Sequence, residues 1–304
     1  MWPSYRFTGY KATMGESLSR IGLVVHPSRN LDTALDSLRR WAGEHDVEVV
    51  QVAVDGQERR VADERPAEDC DLIAAIGGDG TMLAAIRADA LAGRPAMGIA
   101  CGSLGVLTTV GAEDVSMALD RFTAGDWIAH RVPALEVVRD GAETLTAVND
   151  VAVVRGGQGQ VMTSAEIDGV LYARFVGDGF VVSTPIGSSG YTLAAGGPLL
   201  SPGATAFSLT PLAAHGGCIP AIVVGEESTL RLEVVPGYDG IRLELDGRMV
   251  EPPAPEAGAL TIDLRCDAAT LVQLEDQPPI LAGLRRRGII LDSPRVTARD
   301  RREA

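Results

Sequence analysis

The stretch Leu72-Ile-Ala-Ala-Ile-Gly-Gly-Asp-Gly-Thr-Met-Leu-Ala-Ala-Ile86 decides how this chain is read. Five apolar residues, Leu72–Ile76, have the length and composition of a buried strand. Gly77, Gly78, Asp79 and Gly80 follow. Thr81 then opens a helical run, expected over Thr81–Leu91, with no breaker until Gly93. Strand, glycine turn and helix N-terminus together make an anion seat. The glycines let backbone N–H groups approach phosphate, and the helix end adds partial positive charge. Asp79 does not suit a bare phosphate seat, because a carboxylate repels phosphate. It suits a site where it meets a hydroxyl, or a Mg²⁺ that bridges acid and phosphate. A glycine turn with a solvated Asp is the plainer alternative, since short glycine motifs also arise by chance.

Working outward, the same alternation recurs. Ile21–Val25 reads as a strand and His26–Asn30 as a loop. Leu31, Leu35, Leu38 and Trp41 fall at helical spacing, so Leu31–Trp41 is expected to be an amphipathic helix. Val47–Val54 is the next expected strand, ended by Asp55-Gly56, and the charged residues 57–69 form a surface connection. Pro95–Ile99 is a further strand and Ala112–Phe122 a further helix. Strands alternating with helices predict a mainly parallel sheet, with Asp79 at a strand C-terminal end, where open α/β sheets place ligands.

After about Gly125 the pattern turns to short β runs. Leu135–Arg139, the turn Asp140-Gly141 and Glu143–Val148 predict a hairpin. Val151–Val154, Val170–Val176, Phe180–Ser183, Ala221–Val224, Thr229–Val235, Ile241–Leu245 and Leu260–Leu264 are strand-like. Asp168 and Asp246, each before a glycine, read as turn residues, and His26 and His215 as structural histidines. The expected organisation is an extension over residues 1–20, an α/β domain over 21–125, a β-rich nucleotide-binding domain over 126–290 and a charged tail over 291–304. The Arg-rich end from Arg285 is expected to hold a short strand and a frayed tail.

The formal net charge of −14 argues against a nucleic-acid partner, whose phosphate backbone would be repelled. It leaves room for a nucleotide bound locally with Mg²⁺. Cys70, Cys101, Cys218 and Cys266 are scattered, without metal-ligand spacing, so no protein metal site is expected. No signal peptide is visible and no apolar run is long enough for a bilayer span, so a cytoplasmic protein with reduced thiols is expected, with no membrane partner.

A second dense stretch runs from Gly177 to Pro198, GDGFVVSTPIGSSGYTLAAGGP. Small residues leave backbone groups free for a ligand, and Tyr191 offers a flat face for a base. A turn-rich connection with a core tyrosine is the alternative. Taken together, the motifs resemble the NAD kinase family. In the family's order stand Gly77-Gly-Asp-Gly-Thr81, Gly98–Leu107, Val148-Asn-Asp150, Asp178-Gly179, Ser183–Tyr191, Gly196-Gly-Pro198 and Leu209-Thr-Pro211 with His215. The Thr-Pro-x-Gly-Ser block with Gly-Gly-Pro is the specific part; lipid kinases share the Gly-Gly-Asp-Gly-Thr turn.

The resemblance implies an α/β domain with a mainly parallel sheet, a β-rich C-terminal domain, and transfer of a terminal phosphate to the 2′-hydroxyl of the adenosine ribose of NAD. ATP or polyphosphate would be donor, with Mg²⁺, in a homodimer or homotetramer. Asp79 would be the base or orienter of the attacking hydroxyl, with Gly78, Gly80 and Thr81 around the ligand. Asn149 and Asp150 would hold ribose and nicotinamide, with Asp178 near the same ligand. Ser189, Gly190 and Tyr191 would line the adenine pocket, with Ala194 beside the ligand. The chain departs from the family's usual residues at Ala100, Val106, Asp150, Val176-Gly177, Ile186, Ala194 and Arg248, several of them on the acceptor side. Those departures leave a second reading, a paralogue that phosphorylates another hydroxylated small molecule; a third is a non-catalytic dinucleotide-binding regulator, against which the intact Asp79 loop counts.

Overall fold

The computed structural model describes residues 18–54, 58–88, 91–139, 144–250, 258–274, 283–285 and 288–303. The chain begins with β1 (Arg20–Val25), α1 (Asp32–Glu44), β2 (Glu48–Gln51), β3 (Leu72–Gly77), α2 (Asp79–Arg87), β4 (Pro95–Ala100), β5 (Val110–Gly111) and α3 (Val115–Thr123). These five strands pair in parallel, in the order β2-β1-β3-β4-β5. The mainly parallel α/β expectation therefore holds. Alternate side chains of β1 and β3 enter different cores. Ile21, Leu23, Leu72, Ala74 and Ile76 meet α1 and α3 through Leu35, Leu38, Trp41, Leu119 and Phe122. Val24, Ile73 and Ala75 meet α2 through Met82, Ala85 and Ile86. The two-residue side-chain period explains why these strands read as unbroken apolar runs: both faces are covered.

The rest is β-rich: β6 (Ile128–Arg139), β7 (Thr144–Ala147), β8 (Asp150–Arg155), β9 (Val161–Ile167), β10 (Val170–Gly177), β11 (Gly179–Ser183), the short helix α4 (Tyr191–Ala194), β12 (Ala206–Leu212), β13 (Ile222–Gly225), β14 (Leu230–Val235), β15 (Ile241–Leu245), β16 (Arg248–Met249) and β17 (Gly258–Gln273). The helix α5 (Pro294–Glu303) follows. Strands β13-β12-β11-β8-β15-β16 form an antiparallel sheet. It packs Val151, Val153, Phe180, Val182, Phe207 and Leu209 against Leu135, Val161, Leu230, Leu232, Leu260 and Ile262 of the other sheet. Strand β17 joins the two halves: Leu260 pairs antiparallel with β6 and β14, and Thr270 and Leu271 pair parallel with β4.

Several local expectations are corrected. The helix of the opening stretch starts at Asp79, two residues earlier than predicted, and ends at Arg87. The strand after α1 is shorter than predicted, Glu48–Gln51. The strand expected over Leu260–Leu264 is 16 residues long. A register shift between Arg265 and Ala269 hides its second half, because a bulge breaks the two-residue pattern around Cys266 and Asp267. The Arg-rich end carries a helix, not a strand; Pro294 at its first position is preorganised for helix entry. The Asp140-Gly141 hairpin turn, Asp55-Gly56 and most of the N-terminal extension lie outside the described residues, although β6 and β7 do pair as predicted.

Candidate active site

Strand β3 ends at Gly77, Gly78 is fully extended, and α2 begins with Asp79. The helix start aims Asp79 toward the segment after β4. There Asp79 Oδ1 accepts hydrogen bonds from Leu107 N (2.9 Å), Thr108 N (3.0 Å) and Thr108 Oγ1 (3.0 Å). Its Oδ2 accepts one, from Val106 N at 2.8 Å. Gly105 makes this cradle possible: a Cβ there would run into the Asp79 carboxylate. The carboxylate is thus fixed in place by backbone, with lone-pair capacity left on Oδ2.

Cationic groups flank the turn. Arg29 Nη1 lies 3.5 Å from Gly77 O, and Arg59 Nη1 donates to Arg29 O at 2.6 Å. His26 Nδ1 accepts from Ser28 N and Arg29 N, both at 3.2 Å. Burial, then Arg29 and Arg59, push the His26 pKa down. The loop after β1 therefore supplies positive charge beside the glycines. Thr81 is buried, and its Oγ1 has no hydrogen-bond partner among the described residues.

Opposite Asp79 stands the loop that enters β8. Asn149 N and Asp150 N donate to Asp246 Oδ1, at 2.6 and 3.2 Å, and Val148 N to Asp246 Oδ2 at 3.2 Å. Thr184 clamps the other side: its N–H donates to Asn149 O at 3.0 Å and its hydroxyl to Val148 O at 2.7 Å. The turn at Gly187 presses so closely on the Asn149 carbonyl that a Cβ would overlap it. Asp150 carries the strongest electrostatic anomaly of the site. Burial first, then Asp246 and Glu244, raise its carboxyl to about 6.

These two sides share one open cleft. Asp79, Leu83, Val106 and Leu107 line it on one side, and Asn149, Asp150, Ile186, Gly187, Ser189 and Gly190 on the other. Of the residues expected from sequence, Asp79, Asn149, Asp150, Ser189 and Gly190 are thus brought together. Gly78, Gly80 and Thr81 sit in the turn and first helical residues next to Asp79, outside the lining. Asp178, Tyr191 and Ala194 lie outside the lining. Asp178 pairs with Arg155 at 2.8 Å, and Ala194 is exposed at the end of α4. Tyr191 is half-exposed; burial and Glu244 raise its phenol, and Asp150 and Asp178 act in the same sense. Tyr191 therefore flanks the acidic side of the cleft. Of the departures, Val106, Asp150 and Ile186 line the cleft, whereas Ala100 is buried in β4.

Sequence reasoning missed three features. The Val106–Thr108 amides were visible only as part of a glycine-bearing run, with Gly98, Gly102 and Gly105 as the signal. Arg29 fell in a loop given no role, and Arg59 in the charged stretch read as a surface connection. Asp246 read as a turn residue, and with φ of 50° before Gly247 at 73° it is one. Its carboxylate, however, is fully buried and organises residues 148–150.

A glycine–acid turn at the end of a parallel strand, facing a hydrogen-bonded loop of a β-rich half across one cleft, defines a small-molecule kinase scaffold. The ATP-NAD kinase N-terminal domain model matches residues 35–127, and the ATP-NAD kinase C-terminal domain model matches residues 148–258. The chain belongs to the NAD kinase family. It is 33% identical over 250 residues to the NAD kinase of Koribacter versatilis, covering 77% of this chain and 86% of that one. It is 31% identical over 242 residues to the NAD kinase of Desulforamulus reducens, covering 76% and 84%. Its fold is similar to that of yeast NADH kinase complexed with NADH, with a TM-score of 0.76 at 18% identity over 92% of this chain and 90% of that one. An NAD kinase from Archaeoglobus fulgidus in complex with ATP gives 0.69 at 23% identity, over 90% and 100%. At these identities the two structures bear on the fold alone.

Proposed function

We propose that this chain transfers the terminal phosphate of ATP to the 2′-hydroxyl of the adenosine ribose of NAD, giving NADP and ADP. The observation that carries this reading is the position of Asp79 in a family member: its carboxylate is fixed by four donors and shares a cleft with Asn149 and Asp150. The ribose oxygen attacks the γ-phosphorus, the bond from phosphorus to the bridging oxygen breaks, and ADP leaves with the electron pair. The hydroxyl proton passes to Asp79 Oδ2, the less engaged oxygen. Phosphoryl transfer has a loose transition state, so catalysis rests on positioning and charge neutralisation more than on a strong base. A carboxylate tied down by backbone amides fits such chemistry, because it orients the hydroxyl and receives its proton late.

The Gly77–Gly80 turn and the start of α2 would receive the donor phosphates, with Arg29 and Arg59 adding charge at their edge. Asn149 and Asp150 would hold the acceptor ribose and nicotinamide. Ser189, Gly190 and Tyr191 would bound the adenine, and Asp178 and Ala194 would lie at its margin. A divalent cation fits this donor set as a companion of ATP. No group of three or more metal-type side chains occurs among the described residues, and Mg²⁺ with phosphate oxygens and water needs at most about two carboxylates. Asp79 and Asp150 are the carboxyls in the cleft that would meet it. When bound, the ion neutralises charge on the phosphate oxygens.

Further parts of this reading are a cytoplasmic location, a homodimer or homotetramer, and the division into an α/β domain over 21–125 and a nucleotide-binding domain over 126–290. Among the described residues no helix is long and apolar enough to cross a membrane. The test is direct. Purified chain with NAD, ATP and Mg²⁺ should form NADP, read by a NADP-specific dehydrogenase. No NADP with ATP or polyphosphate, across divalent cations, would refute the acceptor assignment.

A further inference from the structure

The buried pair Arg87–Asp246 spans the two sides of the cleft without touching it. Arg87 is the last residue of α2, the helix whose first residue is Asp79. Its Nη1 lies 3.3 Å from Asp246 Oδ2. The Arg87 side chain is 15% exposed and that of Asp246 0%. The same Asp246 carboxylate accepts the amides of Val148, Asn149 and Asp150, and Asp246 N donates back to Asp150 O at 2.9 Å. One carboxylate is therefore the common fastening of two elements: the helix that begins with Asp79 and the loop that presents Asn149 and Asp150.

From this geometry we infer that Arg87 is a positioning residue for phosphoryl transfer, which through Asp246 sets the distance between Asp79 and the acceptor bound at residues 149–150. A nine-residue helix is a stiff rod of about 14 Å. Releasing Arg87 unfastens Asp246 from α2, so the loop that Asp246 organises, residues 148–150, shifts relative to the anchored Asp79. Displacements of about 1 Å in a reacting pair lower turnover by about 10²-fold. The donor side feels this less, because the Gly77–Gly80 turn is fastened independently: Gly77 O accepts from Cys101 N at 2.9 Å, and the Asp79 carboxylate is held by residues 106–108. The pair should therefore govern kcat more than the affinity for ATP.

The inference rests on the kinase reading above. Its test compares NADP formation and thermal melting for the parent chain, Arg87→Met, Arg87→Lys and Arg87→Met/Asp246→Asn. Arg87→Met should lower kcat by about tenfold or more while KM for ATP stays within about twofold. The double variant removes both buried charges; it should regain melting temperature but not kcat. Should Arg87→Met fail to fold, Arg87→Lys decides, with kcat lowered about threefold or more at unchanged ATP KM as the supporting result. A kcat within about twofold of the parent in folded Arg87→Met, or in Arg87→Lys where Arg87→Met does not fold, overturns the inference, as does a double variant with full kcat, which would make the pair purely structural. A parent chain that makes no NADP overturns the kinase reading and this inference with it.

Discussion

The cleft holds two carboxyls that the fold treats in opposite ways. Asp79 is surrounded by donors, three backbone N–H groups and the Thr108 hydroxyl, all pointing at its side chain. Asp150 is held by its backbone, through Asp246, and its carboxyl faces burial and two other carboxylates, which raise it to about 6. The same residue type thus becomes a fixed acceptor on one side and a reluctant charge on the other. Under the proposed function, the difference separates a side suited to chemistry from one suited to recognition. A reacting group needs a fixed position, and the Asp79 cradle supplies it. A carboxyl whose charge is disfavoured changes state readily when a ligand or cation arrives, which suits a contact to an acceptor.

The comparison breaks most visibly at Asp79. Asp79→Asn should lower kcat by about 10²–10⁴-fold, because a positioned base is lost, while the fold persists. NADP formation at saturating NAD and ATP, with circular dichroism as a fold control, checks it; an unchanged rate would remove Asp79 from the reaction. Next in size is Asp246→Ala. It strands the Arg87 guanidinium and three part-buried amides, and should destabilise the chain by about 3–5 kcal/mol in urea unfolding. A loss no larger than that of an exposed ion pair would mean that the loop of residues 148–150 is held by other contacts.

A smaller effect separates the two carboxyls by pH. The Asp150 carboxyl rises from its ordinary 3.8 to about 6 in the folded chain. A raised folded pKa favours the protonated form. Its contribution to stability is therefore complete below about 3.8 and lost as pH climbs through about 6. Asp150→Asn should accordingly be more stable than the parent near pH 8, by on the order of 1–3 kcal/mol, and equal to it near pH 4. Urea midpoints at the two pH values read this out, and a difference independent of pH would contradict it. Smallest is Asp178→Asn. Its pair with Arg155 is 2.8 Å long but about two-fifths exposed on each side, so stability should change by less than about 1 kcal/mol. Any larger effect should appear in KM for NAD, which would bring Asp178 into the ligand's reach.

Local signals carried much of this molecule. Leu72–Ile76 has no polar interruption, so its strand was legible, and the glycines after it marked the turn. Asp168-Gly169 and Asp246-Gly247 both adopt the positive φ values of a tight hairpin turn, as an Asp-Gly step suggests. What stayed hidden depends on residues distant in the chain. Asp246 is 96 residues from Asp150 and 159 from Arg87, and nothing around it distinguishes it from a solvated turn residue. The cradle of Asp79 comes from backbone amides, which any sequence possesses; Gly105 is the trace it leaves. The second half of β17 was obscured by its bulge. The acceptor-side departures divided only in three dimensions, with Val106, Asp150 and Ile186 in the cleft and Ala100 and Ala194 outside its lining.

The central claim is that Asp79 faces a ribose 2′-hydroxyl of NAD across this cleft. Product analysis tests it most directly. The purified chain is given ATP, Mg²⁺ and NAD, and the dinucleotide product is resolved by mass spectrometry and ³¹P NMR. The account predicts a single phosphorylated dinucleotide with the new phosphate on the 2′-oxygen of the adenosine ribose, and its loss in Asp79→Asn. ATP consumption without a phosphorylated dinucleotide, or phosphate on any other oxygen, would contradict it.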